Sequence, residues 1–298
     1  MKVTALLTGR GNNTFKDKNV RDILGHPVLY YPARAAKAAK TVDYFYCSSD
    51  DEKILKAAEE IGYKRIVRPA YLGTPTAQHV DVIKHAINMI EPLGELGEIL
   101  IVLLANNITI KSEWIDVCVK MMKDDTTLSA VVPVYEDNDH HPLRGKRVDE
   151  SNHLQMYERN VNGKVSSNRQ DLPKCYFLSH NFWVLNTQKM LGSNYEGQQP
   201  WGFMGNNIGY FEIDESIDIH DETDLTLARS WIERNMTPPH FQQIKKRVLI
   251  FSYHKLRNSY TVQSTRDITG DTLSTKLRNT ARDTTISIRS FSERRWSA

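Results

Sequence analysis

The residues best suited to chemistry cluster directly after the first apolar run. Val3–Thr8 empties into Gly9-Arg10-Gly11-Asn12-Asn13-Thr14-Phe15-Lys16-Asp17-Lys18-Asn19. Two glycines let the backbone approach a ligand closely, and Arg10, Lys16 and Lys18 supply positive charge where phosphate oxygens would lie. A buried strand ending this way suits a bound polyphosphate and points to nucleotide chemistry; a solvated basic turn is the plain alternative. The loop is not a dinucleotide fingerprint, because Thr14 follows Gly9 and Gly11 where a third glycine would stand. It also lacks the Gly-Lys-Ser/Thr ending of an ATPase loop.

The elements that must position this loop follow a regular rhythm. Val3–Thr8 reads as a strand, Pro27–Ala39 as a helix and Val42–Ser48 as a second strand closed by the capping run Ser49-Asp50-Asp51. The next helix shows Ile54, Ala57, Ala58 and Ile61 at helical spacing and stops at Gly62. After a short strand at Arg65–Arg68, Thr74-Pro75 predicts a helix start, with Val80, Ile83, Ile87 and Ile90 on one face. Ile99–Leu104 is an uninterrupted apolar run, the mark of a strand covered on both sides. Ser112 predicts the cap of a further helix, Ala130–Tyr135 returns as a strand, and Asp221–Asn235 reads as the last helix. The alternation predicts an α/β fold: a Rossmann-like, mostly parallel sheet flanked by helices, with ligands at the carboxyl ends of strands.

Between residues 136 and 195 the rhythm breaks into short alternating pieces, predicting a small antiparallel arm inserted in a domain that spans 1–235. Residues 236–298 change character. They carry 12 Lys and Arg against 4 Asp and Glu, which leaves 27 against 32 for the body, although the whole chain is only +3. Fourteen Ser or Thr among the last 38 residues predict a basic, poorly ordered extension: an anchor, a cap on the sheet or, as the favoured reading, an irregular tail. One strand is predicted within it, at Lys246–Tyr253. An acidic body argues against nucleic-acid binding by the main domain. The sequence contains no membrane-length apolar segment and no signal-like start. Cys47, Cys118 and Cys175 are scattered, which fits reduced thiols in a cytoplasmic protein better than a disulfide framework or zinc site. His140 and His141 are neighbours and would point to opposite faces of a strand, so they make a poor metal pair.

Taken together these segments resemble the CMP-acylneuraminate synthetase family, over roughly Lys2 to Asn235. The opening loop through Lys18-Asn19-Val20-Arg21 is similar to the family's first signature, Ser48-Ser49-Asp50 to its strand-end element, and Arg68-Pro69 with Leu72 to its arginine-proline element. His141-Pro142-Leu143-Arg144 and Arg169-Gln170-Asp171-Leu172-Pro173 resemble its two arm motifs. Ser216-Ile217-Asp218-Ile219-His220 resembles its metal-binding segment.

The resemblance implies a homodimeric enzyme in which the anomeric hydroxyl of an eight- or nine-carbon keto-sugar acid attacks the α-phosphorus of CTP and pyrophosphate leaves, with Mg²⁺ as cofactor. It implies catalytic roles for Arg10, Lys18 and Asp218, and nucleotide contacts from Arg10, Gly11, Asn12, Lys16, Lys18, Asn19 and Arg68. It further implies that Asn107, Arg144, Arg169 and Gln170 bind the sugar acid, the arm residues reaching a partner subunit's site, and that Asp218 holds the metal, with Asp221 left to cap the helix. The chain departs from the pattern at four places. The opening loop is about one residue shorter, so that Lys16 stands in for a lysine at 13–14; Leu104–Thr109 has its own sequence; Arg144 replaces a lysine; and His220 replaces a second aspartate. A transferase for another base or acceptor, and an inactive nucleotide-binding homologue, are the alternatives these departures leave open.

Overall fold

The computed structural model describes residues 1–11, 13–159, 163–192, 196–236, 261–264, 272–279 and 282–289. The chain divides into two units, Met1–Glu233 and Arg234–Ala298.

In the first unit β1 (Val3–Thr8) is buried along its whole length. β2 (Asp22–Ile23) and β3 (His26–Pro27) pair as a small hairpin turning on Leu24 and Gly25, both at positive φ. That hairpin takes Pro27 out of the predicted helix, so α1 runs Tyr30–Ala38. β4 (Tyr44–Ser49) leads to α2 (Glu52–Glu59), whose N-cap Asp51 accepts from the Lys53 amide at 2.7 Å, a contact worth about 1 kcal/mol. After β5 (Lys64–Val67) the chain departs from expectation. Ala70–Gly73 is a 3-10 turn, Thr74 and Gln78 are extended, and α3 starts only at His79 and runs to Ile90. Thr74-Pro75 therefore belongs to a connecting segment and does not cap the helix.

β6 (Ile99–Leu104) precedes α4 (Ser112–Asp124), where Lys111 holds the cap position and Ser112 already lies inside the helix. β7 (Ala130–Glu136), the paired β8 (Lys146–Val148) and β9 (Leu154–Met156), then β10 (Tyr176–Leu178) and β11 (Phe182–Asn186) follow. α5 (Thr187–Gly192), β12 (Ile208–Glu212) and α6 (Glu222–Asn235) complete the unit.

The main sheet runs β5-β4-β1-β6-β11-β7, with β10 and β12 also paired to β7. β1, β4, β5 and β6 are mutually parallel, β12 is parallel to β7, and β10 and β11 run the other way. Side chains alternate across it. Val3, Ala5 and Leu7 enter the core that also holds Ala33, Ile54 and Ile115, from α1, α2 and α4, while Leu6 joins Ile83 and Ile87 of α3 on the opposite face. The predicted arm is narrower than 136–195. Phe182–Leu185 is an apolar run whose four residues are all buried, and only the interior of the sheet, between β6 and β7, satisfies it.

The chain travels outward from β1 through β4 to β5, then crosses back to place β6 on the other side of β1. Such a reversal opens a crevice beyond the carboxyl ends of the central strands. The register aligns the three ends: Thr8 lies opposite both Ser48 and Leu104.

In the second unit β13 (Thr261–Ser264), β14 (Thr272–Asn279) and β15 (Arg282–Arg289) pair antiparallel, where the composition predicted an irregular tail. β-branched threonines and isoleucines suit pleated strands, a preference that polarity alone hides. The strand predicted at Lys246–Tyr253 lies outside the described residues.

Candidate active site

The loops leaving β1, β5 and β6 enclose a crevice of about 220 Å³ at this reversal. Its first wall is the opening loop, held in place by its own backbone. The Gly9 amide donates to Ser48 O at 3.2 Å, the Gly11 amide to Asp50 Oδ1 at 3.0 Å, and the Asn19 side chain to Arg10 O at 2.9 Å. A Cβ on Gly11 would stand 2.9 Å from Asp51 Cβ, so close approach to the β4 end requires glycine there. The Arg10 guanidinium donates to Thr74 O at 2.9 Å and joins this loop to the segment before α3. Lys18, Arg10, Asn19 and Arg68 all line the crevice. Burial lowers the Lys18 pKa, opposed by the carboxylates of Asp218 and Asp224, so its ammonium is poorly solvated and suited to an anionic ligand.

Arg68 is nearly buried beneath the crevice, with Nε on Ser48 Oγ at 2.9 Å and Nη2 on Ser48 O at 2.7 Å. Its desolvation brings the guanidinium down to about 10, with Asp50 pulling the other way. His79, at the start of α3, bonds Thr8 Oγ1 through Nε2 at 3.0 Å.

A distant part of the chain flanks the crevice behind Asn106. Asn107 and Asp218 form a β-bridge, and the Ile219 amide donates to Asn106 O at 3.0 Å. These contacts hold the Asp218 carboxylate against the loop after β6. Oδ1 accepts from the amides of Asn106 at 3.2 Å and Asn107 at 3.4 Å, while Oδ2 lies 3.4 Å from His180 Nδ1 and 3.9 Å from His220 Nε2. Asp221 caps α6, accepting the amides of Thr223 at 2.7 Å and Asp224 at 3.1 Å, and so leaves Asp218 to the site. His220 is tied to Asp224, its backbone amide donating to Oδ2 at 2.7 Å.

The crevice lining thus gathers Arg10, Lys18, Asn19 and Arg68, with Asp218 at its edge, bonded to Asn106 and acting on the Lys18 ammonium. The other expected residues lie elsewhere. Lys16 is exposed and does not line the crevice; its carbonyl accepts from Arg21 Nε at 3.2 Å, and Lys18 is the lysine the loop delivers. The Gly11 amide donates to Asp50 Oδ1, and Gly11 does not line the crevice. Asn107 is fully buried: Oδ1 accepts from the Thr109 amide at 3.0 Å and hydroxyl at 2.6 Å, and Nδ2 reaches Ser216 and Asp218. It braces the wall, and its neighbour Asn106 faces the crevice instead. Asn12 lies outside the described residues.

Arg144, Arg169 and Gln170 stand on the arm and do not line this chain's own crevice. Arg169 Nη1 lies 2.7 Å and Arg144 Nη1 3.6 Å from opposite oxygens of Asp139. His79, His180 and Asn106 were given no role from the sequence, whereas Asp50, read there as part of a capping run and a strand-end element, braces the opening loop. Ser179-His180-Asn181, a polar interruption between two apolar strands, was the one available signal for His180. His79 sits at a helix start that the Thr74-Pro75 pair disguised.

Similarity to known proteins agrees with this geometry. The chain is 25% identical over 244 residues to post-translational flagellin modification protein B of Campylobacter coli, covering 78% of this chain and 95% of that one. It is 23% identical over 199 residues to pseudaminic acid cytidylyltransferase of Campylobacter jejuni, covering 65% and 83%. Its fold superimposes on CMP:2-keto-3-deoxy-manno-octonic acid synthetase complexed with CTP with a TM-score of 0.59 at 15% identity, across 78% of this chain and 99% of that one. Sheet and crevice define an α/β protein with an open crevice at a topological switch point. Residues 10–177 match the cytidylyltransferase family, and the chain belongs to it.

Proposed function

We propose that this cytidylyltransferase couples CTP to an eight- or nine-carbon keto-sugar acid, giving the CMP-sugar and pyrophosphate. The observation that carries the proposal is that Arg10 and Lys18 line one crevice while the Asp218 carboxylate, bonded to the crevice residue Asn106 and acting on the Lys18 ammonium, stands at its edge. The anomeric oxygen forms a bond to the α-phosphorus, the bond from that phosphorus to the bridging oxygen breaks, and the hydroxyl proton departs. The protein's part is to position and neutralise. Arg10 and Lys18 hold phosphate oxygens, Asn19 keeps the Arg10 carbonyl turned into the loop, and Arg68 lies under the nucleotide. Relatives named for pseudaminic acid, N-acylneuraminate and an amino-octulosonate support an acidic keto-sugar as acceptor.

A magnesium ion fits this donor set. Asp218 offers a hard carboxylate beside a neutral amide, and among the described residues no group of three His, Cys, Asp or Glu side chains builds a closed cage. One carboxylate completed by phosphate oxygens and water is a common magnesium arrangement. When bound, the ion would supply positive charge against the triphosphate.

The enzyme works as a homodimer through its arm. On the β8–β9 hairpin Val148 and Leu154 are cross-strand partners, 63% and 70% exposed, with Tyr157 beside them at 66%, an apolar surface that a second copy would cover. No helix among the described residues is long and apolar enough to cross a membrane. Cys47 and Cys118 are buried, unpaired and pushed up to about 12 by desolvation, which suits a cytoplasmic setting.

Pyrophosphate release tests the function. Purified protein with magnesium and CTP is screened against a panel of eight- and nine-carbon keto acids, with UTP in parallel. Turnover with CTP and at least one acid is expected. Equal use of UTP would end the cytidine assignment, and CTP binding without release with any acid would favour an inactive homologue.

A further inference from the structure

The crevice lining is chemically mixed. Arg10, Lys18, Asn106 and Arg68 supply charge and polar groups, and Leu72, Val82 and the His79 imidazole line it as well. The protonation of His79 follows from its neighbours. Thr8 Oγ1 lies 3.1 Å from Leu103 O, which can only accept, so the hydroxyl hydrogen is used there. The 3.0 Å contact from the same oxygen to His79 Nε2 must then be donated by the ring. Neutral His79 carries its hydrogen on Nε2 and a lone pair on Nδ1.

Among the described residues no hydrogen bond engages Nδ1, and the ring that carries it lines the crevice. Trp183 packs against the ring at 5.4 Å and fixes its orientation. Burial, reinforced by Arg68 and His180, holds the imidazole to about 4, so the lone pair persists at neutral pH.

Resting on the cytidylyltransferase reading, we propose that His79 selects the base: Nδ1 accepts a hydrogen bond from the exocyclic amine of cytosine and rejects the carbonyl oxygen of uracil. Uracil would set two lone pairs against each other and leave both unsatisfied in a confined site, a far larger penalty than a merely missing contact. Arg68 keeps N–H groups beyond the two given to Ser48, and these suit the bare ring nitrogen and carbonyl on the cytosine edge.

Calorimetric titration of the full chain with CTP, UTP and the 4-deamino analogue zebularine triphosphate, each with magnesium, tests this. The unaltered protein should bind CTP about tenfold or more tighter than either competitor, as expected for one base-edge contact. His79→Leu should bring all three within about twofold of one another. Should that variant fail to fold, His79→Gln, whose amide can turn to present its N–H groups, should bind UTP about tenfold better than the parent. The proposal is overturned if the unaltered chain binds CTP and zebularine triphosphate alike, or if a folded His79 variant retains the parent's ratios. Those results leave the cytidylyltransferase reading standing when CTP is still turned over. Failure to bind any of the three nucleotides would remove that reading, and this proposal with it.

Discussion

The Asp218 carboxylate accepts the Asn106 side-chain amide at 3.2 Å, so an acid supplied from just before the last helix takes its direction from the loop after β6. The backbone reinforces the pair through the Asn107–Asp218 bridge. A neutral amide orients the carboxylate without cancelling its charge, which leaves that charge available to a cation.

Replacing Asn106 by Asp puts two carboxylates side by side. Without metal they repel, and with a divalent ion they share it. Asn106→Asp is expected to melt lower than the parent in chelator and to reach half-maximal magnesium stabilisation at a concentration several-fold lower. Thermal melts titrated with magnesium chloride check both, and a variant indifferent to magnesium would contradict the assignment.

Arg68 reaches Ser48 with two different nitrogens, a fork that lysine cannot reproduce. Arg68→Lys should leave the fold intact and lower kcat/KM for CTP by about 10- to 100-fold, the range expected for losing a hydrogen bond to a charged group. Steady-state kinetics beside a circular dichroism spectrum separates this from unfolding.

His79 makes stability depend on pH. Its folded pKa, about 4, lies below the ordinary value of 6.5, so the native protein binds fewer protons than the unfolded chain between those values. The contribution is fully present above pH 6.5 and is lost as pH falls through 4. The parent should therefore lose up to about 3 kcal/mol more than His79→Gln over that interval, a ceiling because the ring is only partly enclosed. Urea unfolding of both proteins at pH 7 and pH 4.5 measures it; parallel losses would show that His79 is not responsible.

The exposed Val148 and Leu154 pair bears on assembly. Leu154→Lys should shift sedimentation from dimer toward monomer while leaving the melting of the main sheet unchanged. A parent that sediments as a monomer at every concentration would refute the dimer.

Much of this was legible in the sequence because the relevant signals are local. The all-apolar Ile99–Leu104 announces a doubly covered strand, and glycines with cations after Val3–Thr8 announce the loop that lines the crevice. Asp221, three residues before Asp224, identified itself as a cap and freed Asp218. What stayed hidden depends on side-chain commitments made across long distances. Nothing local reveals that the Asn107 amide is consumed by Thr109, Ser216 and Asp218, or that Lys16 turns outward while Lys18 turns in. Thr74-Pro75 carries the local chemistry of a helix start, but the Arg10 contact to Thr74 O draws that segment along the crevice, and α3 begins later.

The central claim is that Arg10 and Lys18 grip a triphosphate on which Asp218 directs a divalent ion. A crystal of the protein soaked with CTP and magnesium tests it most directly. Phosphate oxygens within hydrogen-bond distance of Arg10 and Lys18, with an ion between them and Asp218, is the predicted result. Nucleotide density elsewhere, or an Asp218 carboxylate turned away from the bound phosphates, would contradict it.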